Sequence, residues 1–257
     1  MPEIYRFVWK DRLRASGIHL GISVAVALLA ALLVFLLWYP YPYGEVSGGR
    51  ELFLILVSVD VVLGPLITLA VFNKSKPRNQ LVRDLAVVGL IQLAALGYGM
   101  WTVFVARPVH LAFEIDRFRV VHAVDVPVQM LPEAPPGFES LPLLGPQLVA
   151  VRPFRNPQES FEATMAALEG VHLGARPDLW QPYPDARLRI LEAAKPASEL
   201  SQRFPDATGA IDQAISDTGS SLESLMYLPL LGRDSAWTVL IDAATAEVVG
   251  FIPLDSF

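Results

Sequence analysis

Few side chains in this sequence have the type and spacing that chemistry requires. The four histidines, His19, His110, His122 and His172, form no HExxH pair and no Cys/His ligand pattern. The chain has no cysteine, which excludes disulfide frameworks, thiolate zinc sites and thiol nucleophiles together. His110 and His122 are expected on opposite faces of a strand hairpin, where joint ligation is disfavoured, so neither a metal nor any other cofactor is expected. No GxSxG, GxGxxG or P-loop occurs, and Ser198, Ser220 and Ser221 have no base at motif spacing. Glu114 and Asp116 are conceivable as an acid–base pair, yet the alternation around them sends both toward solvent beside Arg117 and Arg119, as solvated charges. Asp60 is the exception. It stands inside an apolar run, where a carboxyl costs about 2.5–3.5 kcal/mol on insertion scales and is a functional candidate by default.

The elements that must position Asp60 are membrane spans. The 257 residues are 53% hydrophobic and 18% charged, against roughly 25% charged in ordinary soluble proteins, and mean hydropathy is +0.42. The excess lies in residues 1–106, where three runs reach the ~20 residues that a bilayer crossing needs: 17–38, 52–72 and 85–106. The first is too long for the apolar core of a signal peptide and ends in Trp-Tyr-Pro-Tyr-Pro-Tyr, so it reads as a retained span. Orientation follows from Lys and Arg beside the spans. Residues 1–16 carry a net +2 and loop 73–84 a net +3, while loop 39–51 carries −1. The N terminus and the second loop are therefore expected in the cytoplasm and residues 107–257 outside. Aromatic clusters at Trp38, Tyr39, Tyr41 and Tyr43 and at Tyr98, Trp101 and Phe104 suit the outer headgroup level. Tyr5, Phe7 and Trp9, alternating with Arg6 and Lys10, read as an interfacial anchor on the inner side.

On this orientation Asp60 lies eight residues from the outer end of its span, ~12 Å deep at 1.5 Å per residue. Gln92 lies seven residues above the inner end of the third span, hence ~19 Å from the outer face of a ~30 Å core. The two differ in depth by little more than one helical turn and are expected to meet, directly or through one water. Gly64-Pro65 follows Asp60, and Pro65 leaves the Val61 carbonyl without its helical donor. Two readings stand side by side. In one, Asp60 and Gln92 glue the three helices together. In the other, a polar spot formed by Asp60, Gln92, Gly64 and Pro65 receives a polar group from another protein's transmembrane helix. A proton or ion path is a third reading, and three spans with one carboxyl are little for a transporter. Gly17, Gly21 and Ala25 in the first span, and Ala95 and Gly99 in the third, fit small-xxx-small helix packing.

Residues 107–257 read as an α+β domain, with a hairpin first, helices in the middle and strands last. Val109–Asp116 and Phe118–Val126 alternate with a period of two around an Asp116-Arg117 corner. Eight prolines between 127 and 157 predict an extended loop. Asn156-Pro157 predicts a helix start with Phe161, Met165 and Leu168 inward, ending at Gly170. Further helices are expected over 185–195 (Leu188, Leu191 and Ala194 inward), 196–204 and 207–216, and strands over 225–231, 236–242 and 247–254. The domain is acidic, net −9, which disfavours nucleic acid as a partner. The fold class is thus a three-helix transmembrane bundle followed by an external α+β domain, which in a Gram-negative cell is periplasmic.

Several stretches resemble the TfpX/TfpZ family of type IV pilin accessory proteins. They are His19-Leu20-Gly21-Ile22-Ser23 running to Phe35-Leu36-Leu37-Trp38-Tyr39-Pro40, and Val59-Asp60-Val61-Val62-Leu63-Gly64-Pro65-Leu66-Ile67-Thr68 with Phe72-Asn73. Asp84-Leu85-Ala86 with Gln92-Leu93-Ala94-Ala95, and Ala106-Arg107-Pro108 leading to Phe113-Glu114-Ile115-Asp116-Arg117-Phe118, belong with them. The likeness covers about residues 16–121 and returns in the C-terminal hairpin from Ile241-Asp242 to Gly250-Phe251; residues 122–235 depart from it, so pilin specificity does not transfer. The resemblance implies an inner-membrane protein of Gram-negative bacteria, encoded with a major pilin and needed for pilus assembly or for balancing extension against retraction. It brings no catalytic residue. The expected role is non-catalytic and chaperone-like. The expected partners are the lipid bilayer, the transmembrane helix and periplasmic head of a type IV major pilin, and other pilus-assembly machinery. The alternatives are a membrane-bound pilin-modifying transferase and a small membrane sensor or channel.

Overall fold

The computed structural model describes residues 2–257, with side chains described from Trp9 onward; the anchor reading of Tyr5, Arg6 and Phe7 lies outside the described side chains. Helix α1 (Pro2–Leu33) continues through a π-helical turn to Trp38, and a short α2 (Tyr43–Val46) follows. Helix α3 (Gly49–Ser58) joins α4 (Gly64–Val71) through a second π-helical stretch, Val59–Leu63, and α5 spans Arg78–Val105. Among the described residues, three helical segments are long and apolar enough to cross a membrane: Trp9–Trp38, Gly49–Val71 and Arg78–Val105. They carry exposed Leu, Ile and Val along their length, such as Leu29 at 67% and Leu90 at 69%, which water would penalise and lipid would not.

The chain divides into two compact units. One is helical and comprises the chain up to Leu37 with Gly49–Val105; the other takes Trp38–Gly48 together with Ala106–Phe257. The second unit is built on a mixed eight-stranded sheet. Its strands are β1 (Pro108–Phe113), β2 (Phe118–His122), β3 (Gln147–Val151), β4 (Trp180–Pro182), β5 (Lys195–Pro196), β6 (Leu225–Leu231), β7 (Ala236–Asp242) and β8 (Val248–Ile252). They lie in the order β4-β3-β1-β2-β6-β7-β8, with β5 beside β6. The pairs β1–β3 and β2–β6 are parallel; the others are antiparallel.

Both faces of this sheet are covered, and the alternation of each strand shows how. Leu111, Phe113, Phe118, Val120, Leu228, Leu230, Val239 and Ile241 point to one face, where Tyr43, Val46, Tyr183 and Ile190 join them. Ala112, Val121 and Val149 point to the other, against Trp180 and Ala175, as do Tyr227 and Leu240, against Leu200 and Ile211. Burial on both faces explains why all of β1 is buried, where period-two alternation predicts one wet face.

Several sequence expectations meet the structure at particular residues. Glu114 is 6% exposed, a correction to its reading as a solvated charge: the turn Leu173–Ala175 covers it, and its carboxylate accepts from Gly174 N at 3.1 Å and Arg119 Nε at 2.9 Å. Asp116 does face water, paired with Arg117 at 2.8 Å. β2 stops at His122 because the Asp125 carboxylate accepts from the His122 N–H at 3.2 Å and closes a 3-10 turn. Within the Pro-rich loop, the proline-free stretch between Pro146 and Pro153 forms β3.

Three helices follow in the second unit before the last strands, besides α6 (Pro157–Leu168): α7 (Arg187–Ala193), α8 (Ser198–Arg203) and α9 (Thr208–Thr218). α6 starts as expected, with Asn156 Oδ1 accepting from Glu159 N at 2.8 Å. Its stripe Phe161, Met165 and Leu168 nevertheless faces solvent, and small Ala163 is the residue that settles onto Val151 and Leu179. In and just after α7, Leu191 and Ala194 pack on the core as expected, but Leu188 is exposed and Ile190 is the fully buried residue, because the preceding 3-10 turn Tyr183–Ala186 sets the buried stripe at Tyr183, Ala186 and Ile190. Pro196 pairs with Met226 in β5 rather than opening a helix. β6 and β7 have the expected bounds, and the β7–β8 turn is fixed by Asp242, whose carboxylate accepts from Ala244 N and Thr245 N at 2.8 Å each.

Candidate functional site

The site is a polar notch within the helical unit, and its geometry begins with Pro65. In the π-helical stretch Val59–Leu63 each carbonyl looks to the N–H five residues on, a register that is rare and frequent at functional sites. For Asp60 that partner is Pro65, which has no N–H. Gln92 of α5 supplies the missing donor: its Nε2 donates to the Asp60 backbone carbonyl at 3.2 Å. Asp60 and Gln92 therefore meet, and they do so through the main chain of one and the amide of the other. With i→i+4 bonding the orphan carbonyl would be that of Val61, as expected from the sequence; the π register makes it that of Asp60 instead. Gly64 is part of the same device. A Cβ there would collide with the Gln92 amide, so glycine is what lets the amide approach.

The Asp60 carboxyl itself has no hydrogen-bond partner among the described residues and lines a cavity of about 250 Å³. His19, Ser23 and Gln92 contribute the other polar groups, and Ile22, Val57 and Leu93 are among the apolar walls. α1 is tied to α4 by two contacts below the notch: Ser16 Oγ donates to the Pro65 carbonyl at 2.8 Å, and His19 Nδ1 lies 2.5 Å from Thr68 Oγ1. Thr68 is buried. His19 and Ser23 are spaced i, i+4 on one face of α1, a signal that was present in the sequence but weak beside the carboxyl of Asp60.

The small residues fall into two groups. Gly99 lies directly against Leu56, where a Cβ would clash. Gly17 and Gly21 have nothing within 4 Å of a Cβ position, and Ala25 and Ala95 are exposed. The structure thus brings Gly99 into helix contact and leaves a bare strip along α1.

In the sheet unit the histidines are separated. His110 is fully buried with its ring 4.5 Å from that of Trp180, and burial pushes its pKa down to about 4. His122 is held by Asp125, Nδ1 to Oδ2 at 3.1 Å. Among the described residues no group of three His, Asp or Glu side chains could hold a metal ion. The notch itself brings together one carboxyl, one amide, one hydroxyl and one imidazole bordering an apolar recess.

Residues 7–48 match the family model described as "Fimbrial assembly protein FimB". Over 98% of both chains, the sequence is 35% identical to the fimbrial assembly protein of serogroup I from Dichelobacter nodosus. It is 34% identical, again over 98% of both, to the serogroup E1 protein of the same organism. A shorter relative, for serogroups C1 and C2, is 38% identical over half of this chain and 97% of its own. No solved structure matches. Likeness of this extent, running through the notch and the sheet unit alike, places the chain in the fimbrial assembly protein family.

Proposed function

We propose that the protein is a non-catalytic inner-membrane accessory of the TfpX/TfpZ kind, which holds type IV pilin before or during its passage into or out of the pilus. The observation that carries this is the Asp60–Gln92 notch. Its backbone defect is satisfied internally by Gln92, while the Asp60 carboxyl is left facing an apolar recess that a side chain of a client helix can enter. A pilin waits in the membrane as a single apolar helix bearing an acidic residue, and a notch offering a hydroxyl, an amide and a carboxyl can answer such a group. Hydrogen bonds between membrane helices average only about 0.6 kcal/mol and reach about 1.7 kcal/mol. The notch therefore selects and orients a client more than it grips one, and the sheet unit supplies further contact.

The number of crossings has support besides hydropathy. Residues 38–48 and 106–257 fold into one unit, so both belong on one side of the membrane. That agrees with the charge bias, which puts the basic N-terminal segment and loop 73–84 in the cytoplasm and the acidic sheet unit in the periplasm. Alkaline phosphatase fused after Phe257 should be active and a fluorescent protein fused there dark; the reverse would overturn the topology.

The test of function is co-purification of the co-encoded major pilin with the wild-type protein and with Asp60→Ala. Loss of the notch should weaken recovery about 5- to 20-fold, the equivalent of about 1–1.7 kcal/mol. Equal recovery would remove the notch from the mechanism, and no recovery in either case would remove the client role. An unchanged intact mass of pilin in cells with and without the protein separates this reading from a pilin-modifying transferase.

A further inference from the structure

The sheet of the second unit ends differently at its two edges. At one edge β4 is three residues long and closes on Pro182, which cannot donate to a further strand. At the other, β8 pairs with β7 on one side and with no strand on its outer side among the described residues. Such an edge turns every second N–H and C=O outward, ready to pair with another chain, and proteins usually blunt it with charge or proline. Val248–Ile252 contains neither; its one irregularity is a bulge near Val248, which leaves Gly250, Phe251 and Ile252 in regular register with β7. A groove of about 470 Å³ follows this edge from Val248 to Pro253, within the roughly 300–1,000 Å³ usual for binding sites. It has two walls. α9 forms one, through Ala210, Ala214 and Thr218, and packs on the sheet face of Tyr227 and Leu240. Gly250 lets this helix close in, since a Cβ there would meet Thr218 Cγ2 at 3.0 Å. Tyr41 forms the other wall from the opposite face, 70% exposed and with its ring 6.4 Å from that of Trp237. The open strand edge runs between them.

Charge says what fits there. Asp217 is the one charged residue lining the groove. It is exposed, accepts from Gln213 Nε2 at 2.7 Å and has no ion pair among the described residues. Its surroundings have the same sign: residues 204–257 hold eight acidic residues and one basic residue, Arg233, which is held by Asp125 at 2.9 Å. Arg203 is turned to Tyr227 Oη at 2.8 Å, and Arg187 donates to the Ala244 carbonyl in the β7–β8 turn. We propose that the outer edge of β8 takes up an extended, basic segment of a partner polypeptide as an added strand of the sheet. Main-chain hydrogen bonds to β8 hold the segment, its apolar side chains pack alternately on the α9 and Tyr41 walls, and its Lys or Arg answers Asp217. One exposed ion pair adds little affinity; the acidic surroundings act by selection, repelling acidic segments. The same charge opposes a second copy, whose β8 would bring a like-charged rim against this one. The inference rests on neither the notch nor the client role.

The experiment is selection from a displayed library of short random peptides on the full-length protein in detergent. It should enrich sequences that place Lys or Arg among alternating Val, Ile, Phe or Tyr. Asp217→Lys and Val249→Lys, both at exposed side chains, should each weaken binding of an enriched peptide at least tenfold, and changing its basic residues to Glu should recover binding to Asp217→Lys. N-methylation of alternate peptide nitrogens should abolish binding in one register, where the N–H groups face β8, and spare it in the other. This last measurement needs only the wild-type protein, so it decides the matter if a variant fails to fold. No enrichment, enrichment of acidic or non-alternating sequences, indifference to both variants, or the same result for both N-methylated registers would overturn the proposal. So would a wild-type dimer in sedimentation that Val249→Lys converts to monomer, which would give the edge to a second copy.

Discussion

Truncating Tyr43 and Val46 to alanine should unlock the sheet unit, although both residues lie in the loop between the first two apolar helices. Val46 is fully buried and Tyr43 is 8% exposed in the cluster with Leu111, Phe113 and Leu230, and the Tyr43 ring packs edge-on to Phe251 at 6.1 Å. Removing two buried carbons at about 0.8 kcal/mol each, with a cavity term, makes Val46→Ala worth about 2 kcal/mol. Loss of a buried aromatic ring makes Tyr43→Ala worth about 3–5 kcal/mol. The two share one cluster and do not add fully, so the double variant should lose about 4–6 kcal/mol, against a total stability of about 5–15 kcal/mol for a domain. The assay is limited proteolysis of the full-length protein in detergent, scored by cleavage after residue 106. Cleavage by way of the opened state should rise about a thousand- to ten-thousandfold, with Glu45→Ala, on the exposed side of the same loop, as the unchanged control. A double variant cleaved at the wild-type rate would refute the claim that residues 38–48 are part of this core.

Three further outcomes are expected. Glu114→Gln removes a buried carboxylate from Arg119 and should lower stability by about 3–5 kcal/mol, read as a lower melting temperature, whereas Asp116→Asn, in an exposed pair, should change it by less than about 1 kcal/mol. His110 has its pKa pushed down to about 4 by burial, so below about pH 6.5 the unfolded chain takes up a proton that the folded one refuses. Its contribution is complete above pH 6.5 and is lost as pH falls toward 4. Between pH 7 and pH 5 the urea-derived stability should drop about 2 kcal/mol more in wild type than in His110→Phe, and parallel slopes would exclude His110 as the cause. Gly64→Ala should displace the Gln92 amide and weaken pilin recovery as Asp60→Ala does, while Gly21→Ala, with nothing within 4 Å, should leave the fold of the helical unit untouched.

What the sequence made legible follows from how local each signal is. The three apolar helices, the Asn156 cap and strands β6 and β7 are written in contiguous patterns; β6 and β7 have the expected bounds, while the helices begin at Pro2, Gly49 and Arg78, ahead of the apolar runs that start at 17, 52 and 85. Glu114 could not be placed because its partner, the Gly174 N–H, is 60 residues away. The outward stripe of α6 was misjudged for a related reason: a helix can bury small Ala163 as readily as large residues when the surface beneath it is already full. The Trp38–Gly48 segment, which carries aromatic residues suited to a membrane interface, shows its second role only when Tyr43 and Val46 are seen against β1 and β6. At the notch, the sequence identified Asp60, Gln92 and Gly64, but the backbone bond between the first two depends on a π register that Gly-Pro hints at and does not dictate.

The central claim is that the recess beside Asp60 receives a polar side chain from the transmembrane helix of a client, and a photo-crosslinking residue in place of Leu93 tests it most directly. Leu93 lines the recess and is 68% exposed, so the probe reaches into the space the client would occupy without breaking the helical unit. Irradiation of living cells should give an adduct with pilin, mapping by mass spectrometry to its transmembrane segment, and a residue placed at Leu20, outside the recess, should not. Pilin that co-purifies yet never crosslinks at position 93, or crosslinks equally at both positions, would contradict the account.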